Sequence, residues 1–223
     1  MKLASGMPVW LLVLPVLSLA CVFFFILLFE TYLLLYISAG ILLLNFVLLL
    51  FFRDPERDIS VGVTSPADGR VTTVEMRRGR YFISIFMNVH NVHVNRAPWN
   101  GTVVSIEHIS GGYAPAFSKD SDRNERLVTR LATDSGMWTI TQIAGAVARR
   151  IVPYIKEGDE LLKGQRFGLI RFGSRVDLEF KLPRGMEVIV SPGDRVKAGS
   201  SSLAVLKKKV MIKSSRRPGS GGT

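Results

Sequence analysis

Ser174 follows Gly173, two histidines stand three residues apart at His90 and His93, and Asp68 sits in the segment Ser65-Pro66-Ala67-Asp68-Gly69. A hydroxyl, an imidazole and a carboxylate are the parts of a nucleophile, its base and a group that orients the base. Taken singly, each segment has a plainer meaning. Proline and Asp-Gly make 65–69 a turn, Gly-Ser is a common turn pair, and a histidine is often a satisfied structural group. On a helix, His90 and His93 share a face. On a strand they lie on opposite faces, and both could serve one site only if the chain bends near Asn91. No metal is expected, because no third ligand stands near the pair at a familiar spacing and Cys21 is the one cysteine. The generic chemistry is that of a serine protease or esterase. Against it, Ser174 is not in a Gly-x-Ser-x-Gly elbow and no hydrolase-like helix follows it.

The elements that must position these groups are mostly strands. Residues 70–75, 81–86, 137–143 and 176–180 are rich in β-branched and aromatic residues. Residues 121–133 are the best helix outside the N-terminal region, with Leu127, Val128 and Leu131 at helical spacing. One internal repeat stands out. Residues 156–164 and 191–199 both carry Gly-Asp, a lysine and a second glycine, and an apolar strand-like run follows each. The pattern resembles the turns of lipoyl- and biotinyl-type β-sandwiches. No Met-Lys-Met or Asp-Lys-Ala tripeptide offers a carrier lysine, so the repeat speaks for scaffold rather than function.

The N-terminus is different in kind. Residues 9–29 and 31–52 contain no charged residue, and only Glu30 separates them. At about 1.5 Å per helical residue each run reaches the roughly 30 Å of a hydrocarbon core. They are expected to form a membrane hairpin, with Pro15 kinking the first helix and Asn45 a lone polar group in the second. Lys2 precedes the hairpin and Arg53 and Arg57 follow it, which puts both ends in the cytoplasm. The first 52 residues are neutral, so the net charge of +11 belongs to the rest. Six basic residues and no acidic one lie between Lys207 and Thr223. Beside two apolar segments, such a tail points to an anionic membrane rather than to nucleic acid. A single cysteine forms no intrachain disulfide.

From about Ser65 to Val205 the chain resembles the phosphatidylserine decarboxylases, in the short prokaryotic form. The likeness rests on 65–69, on Val89-His90-Asn91-Val92-His93 followed by Pro98, Asn100 and Gly101, and on Asn124-Glu125-Arg126. It continues through 144–151 and through Phe167-Gly168-Leu169-Ile170-Arg171-Phe172-Gly173-Ser174. Phe-Gly-Ser-Arg stands here where many members have Leu-Gly-Ser-Thr; the junction itself is intact.

The expected fold is mainly β (α+β): a barrel-sandwich-like catalytic domain over 53–206, behind the membrane hairpin at 1–52 and before the basic tail at 207–223. The resemblance implies self-cleavage between Gly173 and Ser174, in which Ser174 attacks the preceding carbonyl, His93 is the base and Asp68 holds it. Ser174 then becomes a covalent pyruvoyl (pyruvate) group that forms a Schiff base with the substrate amine, and His90 serves the decarboxylation. Arg149 and Arg150 are candidates for binding the lipid phosphate or carboxylate. The expected reaction is phosphatidylserine to phosphatidylethanolamine and CO2 at the cell membrane. The two cleaved chains would stay together as a heterodimer, with homo-oligomerisation left open. The rivals are the same chemistry on archaetidylserine, a non-catalytic lipoyl-like membrane adaptor, and a membrane serine hydrolase.

Overall fold

The computed structural model describes residues 5–8, 10–29, 32–112, 124–145, 150–171 and 174–207. Gly173, Arg149 and the tail beyond Lys207 therefore lie outside the described residues.

Two helices, α1 (Trp10–Phe29) and α2 (Tyr32–Phe51), follow the two uncharged runs. Each is long and apolar enough to cross a membrane, and many of their apolar side chains, Phe23, Phe24 and Leu43 among them, are exposed. This is consistent with membrane association. Pro15 lies inside α1 and has no N–H to give the Leu11 carbonyl four residues back. The Asn45 side-chain amide supplies that bond from α2 at 2.6 Å. The two oddities of the hairpin thus answer each other.

The remainder is β-rich. The largest sheet has eight strands in the order β13-β2-β3-β11-β7-β6-β5-β9. These are Arg195–Val196, Gly69–Arg77, Arg80–Met87, Ser174–Phe180, Gly136–Ala144, Arg126–Thr133, Gly101–Ile109 and Glu160–Leu161. Two three-stranded sheets complete the fold. One joins β1 (Val63–Thr64), β14 (Ser202–Leu206) and β12 (Met186–Val188); the other joins β4 (Val94–Arg96), β10 (Arg166–Ile170) and β8 (Ile151–Pro153). The core includes Trp138, Phe180, Ile83, Ile85 and Leu178, all fully buried.

The helix expected at 121–133 is not formed over its described part, because 126–133 is strand β6. Leu127, Thr129 and Leu131 point inward with period two, and β6 is bonded to β5 on one side and β7 on the other. Leu127 and Leu131 fit either periodicity, Val128 only the helical one, and pairing on both edges decides for the strand.

The repeat is a pseudo-twofold. Gly193 donates to the Val71 carbonyl at 2.7 Å and Gly158 to that of Val103 at 2.8 Å. Gly199 and Gly164 donate likewise to Ser65 and Ala97, both at 2.8 Å. The two turns therefore seat on two further equivalent segments, 65–71 and 97–103. These share a proline (Pro66, Pro98), a glycine (Gly69, Gly101) and a valine (Val71, Val103). The glycines do the same work: a Cβ at Gly69 would lie 2.0 Å from the Phe86 carbonyl oxygen, and one at Gly101 2.5 Å from that of Ala132.

Candidate active site

Ser174 is the first residue of β11, opposite Met87 on β3 and Ala144 on β7, and it is fully buried. Its hydroxyl donates to the Met87 thioether at 3.3 Å. Sulfur is a weak acceptor, so the hydroxyl is lightly held. Asn95 also donates to Met87, at 3.7 Å, and accepts from Gln142 at 2.7 Å.

The bend near Asn91 is present. After β3 the chain turns through 88–91, closed by Asn91 N–H to the Asn88 carbonyl at 2.9 Å and by Asn88 N–H to the Asn91 side-chain oxygen at 2.8 Å. The turn leaves His90 exposed and sends His93 into the interior. His93 Nδ1 lies 2.9 Å from the Asn91 carbonyl. A carbonyl only accepts, so Nδ1 carries the hydrogen and Nε2 carries the lone pair. Nε2 is buried and, among the described residues, has no hydrogen-bond partner. Burial pushes the imidazole down from 6.5 to about 4, against the raising effects of the Asn91 bond and the Asp68 charge. Arg53 and His90 also act on it, both lowering it. His93 is a neutral base at pH 7.

Asp68 does not hydrogen-bond to His93. Its carboxylate accepts from both terminal nitrogens of Arg57, the second at 2.8 Å, and from Ala198 N–H at 2.8 Å. The ion pair is buried on both sides. Asp68 therefore reaches His93 through its field, and the hydrogen bond that orients the ring comes from the Asn91 main chain. Ser174, His93 and Asp68 share no hydrogen bond in this structure.

The segment leaving α2 braces His90, His93 and Asp68, a role its sequence did not announce. The Phe51 ring lies 4.1 Å from that of His93. Arg53 donates to the His90 carbonyl at 2.6 Å. Asp54 pairs with Arg96 at 3.3 Å and with Arg166, and Arg57 holds Asp68. Phe51, Phe52 and Leu11 of the hairpin form a second apolar cluster with Val92, Val94 and Leu169. Arg53 and Arg57 carried a signal, their spacing just after an apolar run, but that signal speaks of membrane sidedness and not of partners.

Two cavities flank Asp68. One, of about 630 Å³, has a mixed lining that includes Arg53, Glu56, Arg57 and Asp58. The other, of about 700 Å³, is lined by Arg53, Arg70, Arg195 and Lys197, with His90 and Asp68. Arg150 is exposed and lines neither. Among the described residues no cluster of His, Cys, Asp or Glu could hold a metal.

A lightly held buried serine at a strand start and a neutral buried histidine, on which the apolar hairpin lays Phe51, give a β-rich protein the parts of a nucleophile and a base. The family model for phosphatidylserine decarboxylase matches residues 44–204, from the last turns of α2 through β14. The phosphatidylserine decarboxylase proenzyme of Streptomyces coelicolor is 55% identical over 154 residues, 68% of this chain and 70% of that protein. That of Thermobifida fusca is 51% identical over 155 residues, 69% and 70%. A putative archaetidylserine decarboxylase proenzyme of Methanococcoides burtonii is 50% identical over 166 residues, 73% and 77%. The chain belongs to the phosphatidylserine decarboxylase family, and is a decarboxylase.

Proposed function

We propose that this chain decarboxylates phosphatidylserine to phosphatidylethanolamine and CO2, at a pyruvoyl group made when it cuts itself between Gly173 and Ser174. The observation that carries the reading is Ser174, fully buried, with its hydroxyl donating to a thioether, a weak acceptor, in a chain whose relatives are named proenzymes.

In the cut, the Ser174 oxygen adds to the Gly173 carbonyl carbon and its proton leaves to a base. The peptide C–N bond breaks and an ester forms. Loss of the α-proton of residue 174 then breaks the ester C–O bond and frees the Gly173 carboxylate, and water replaces the nitrogen as ammonia. His93 is the base, because its ring is neutral and its Nε2 lone pair takes no hydrogen bond from the described residues. Asp68 favours the imidazolium through its charge, and Arg57 fixes Asp68.

The residues fit the group that results. Ser174 supplies its carbon skeleton, and the buried place of that residue keeps a ketone from bulk water. Such a ketone supplies an electron sink for the electrons that departing CO2 leaves behind. His90, exposed beside the cationic cavity, serves the proton step of turnover. The three-part division at 52/53 and 206/207 goes with this reading, as does a cytoplasmic catalytic domain set by Arg53 and Arg57. The lipid surface is an anionic membrane, met also by the basic tail, and the two cleaved chains remain paired.

The Methanococcoides relative supports a second substrate, archaetidylserine, which offers the same headgroup to the same chemistry.

One experiment tests the reading. Intact mass of the purified protein should show two chains, 1–173 and 174–223, the second starting with a pyruvoyl group and releasing labelled CO2 from phosphatidylserine. Ser174→Ala should stay whole. His90→Ala should be cut yet release CO2 about 10²–10⁴-fold more slowly. A single uncut chain with full activity would defeat the proposal.

A further inference from the structure

The 700 Å³ cavity places four cations, Arg53, Arg70, Arg195 and Lys197, around one carboxylate, and that carboxylate is already bound by Arg57. Arg70 and Arg195 are direct cross-strand partners in the β2–β13 register. Like charges directly opposed on neighbouring strands are destabilising. None of the ion pairs formed by the described residues relieves Arg70, Arg195 or Lys197. Arg53 is held by two main-chain carbonyls, those of Leu50 and His90. It keeps its charge and is fixed in place.

The pseudo-twofold shows that the fold does not demand these cations. The pair equivalent to Arg70 and Arg195 is Thr102 and Glu160, at the same register of β5 and β9. Leu162 stands where Lys197 stands. One half of the repeat carries an unrelieved cationic cluster on a backbone that its twin builds without one. The cluster also begins at Arg53, two residues past the end of α2, at the level where a bilayer surface would lie.

We propose that this cavity binds the phosphodiester of the lipid headgroup, with Arg70 and Arg195 as its principal donors and Arg53 and Lys197 completing the positive field. Guanidinium pairs bind phosphate oxygens through charge-assisted, bidentate hydrogen bonds. His90, which lines the same cavity, then lies beside the headgroup's serine moiety. The inference rests on the proposed reaction for its choice of phosphodiester.

The test uses the full chain in detergent with a short-chain serine phospholipid, and glycerophosphoserine as a soluble competitor. Arg70→Gln and Arg195→Gln should each raise KM, and the Ki of glycerophosphoserine with it, by about tenfold, the worth of one charged hydrogen bond. The double variant should lose more than either. The yield of cut chains should stay at the parent level. The thermal midpoint should not fall, since a like-charge pair has been relieved. Glu160→Gln, at the equivalent place in the other half, should move neither constant. Direct titration of glycerophosphoserine into the uncut Ser174→Ala chain, with and without Arg195→Gln, gives the same comparison without turnover. A parent that makes no pyruvoyl group would therefore sink the reaction and leave this inference still decided. Unchanged Ki and titration in the arginine variants would overturn it. So would a loss confined to binding of phosphatidylglycerol vesicles, which would make the cluster a general membrane contact.

Discussion

The two halves of the repeat, 65–71 with 193–199 and 97–103 with 158–164, use one backbone for different ends. Asp68 and Asn100 occupy equivalent places. Asp68 accepts from Ala198 N–H at 2.8 Å, and Asn100 accepts from Lys163 N–H at 2.7 Å. An amide oxygen therefore suffices for the structural bond. The charge in the first half is surplus to the scaffold, and it comes with Arg57 and with Arg70, Arg195 and Lys197, whose counterparts Thr102, Glu160 and Leu162 carry no positive charge. The difference teaches where scaffold ends and chemistry begins. What both halves share is the turn; what only one half has is the proposed site.

The strongest way to break this comparison is to make the first half resemble the second. Asp68→Asn keeps the bond to Ala198 but removes the charge felt by His93 and strands Arg57. Self-cleavage should slow about 10²–10⁴-fold. Stability should fall by about 3–5 kcal/mol, because a buried guanidinium loses its counter-ion. Adding Arg57→Gln should recover much of that stability and none of the cleavage, read by thermal unfolding and by gel. The reverse change, Asn100→Asp, should leave cleavage within a few-fold of the parent. If Asn100→Asp harmed cleavage as much as Asp68→Asn, the halves would not differ as argued.

The hairpin's exit provides the second contrast, since Phe51 lies on His93 and Arg57 on Asp68, both in the first half. With its value near 4, the His93 imidazole proposed as the base stays neutral as the pH falls from 8 to about 5. The unfolded chain takes up that proton near 6.5, so the folded state loses stability from this group as pH drops below 6.5, levelling off below about 4. Self-cleavage of freshly translated chain should accordingly be flat to about pH 5. Phe51→Ala opens the ring to water and lets its value rise toward 6.5. The lower limb of the cleavage profile should then move upward, with a loss of about tenfold at pH 5 and a smaller one at pH 8. A slower rate with an unmoved limb would make Phe51 packing alone.

Much of the scaffold was legible because its signals are local. The absence of charge marks the hairpin, and β-branched runs mark the strands that became β2, β3, β7 and β11. The Gly-Asp turns show the repeat, but their seats do not, since 65–71 and 97–103 share only proline, glycine and valine. Residues 126–133 misled because the spacing of Leu127, Val128 and Leu131 suits a helix until two neighbouring strands claim its edges. In the site, Ser174, His93, Asp68 and His90 were visible through family likeness, whereas their partners were not. Nothing local tells Phe51 to lie on His93, Arg57 to reach Asp68, or Asn91 to hold the imidazole through its main chain. Those choices are made by tertiary packing at the hairpin's exit, where the end of an apolar helix and the wall beside His93 and Asp68 are the same few residues.

The smallest expected effect sharpens the comparison from the side of likeness. Asp159 and Asp194 do the same job in the two turns. Asp159 accepts from Lys156 N–H at 2.9 Å and Asp194 from Ser191 N–H at 2.8 Å. Each closes a turn in which the preceding glycine has positive φ, +87° at Gly158 and +103° at Gly193. A solvent-facing side-chain bond to the main chain contributes about 1 kcal/mol. Asp159→Ala and Asp194→Ala should each cost about that much in thermal or denaturant unfolding, and the two costs should agree within about 0.5 kcal/mol. Neither should alter self-cleavage, although Asp194 adjoins Arg195 and the cationic cavity. Removing Asp194 also takes one negative charge from that edge, so the apparent affinity for glycerophosphoserine should hold or rise slightly at low salt and converge with the parent as salt screens the difference. Unequal stability costs, or a cleavage defect in Asp194→Ala alone, would mean that the Gly-Asp turn of the catalytic half is itself part of the site.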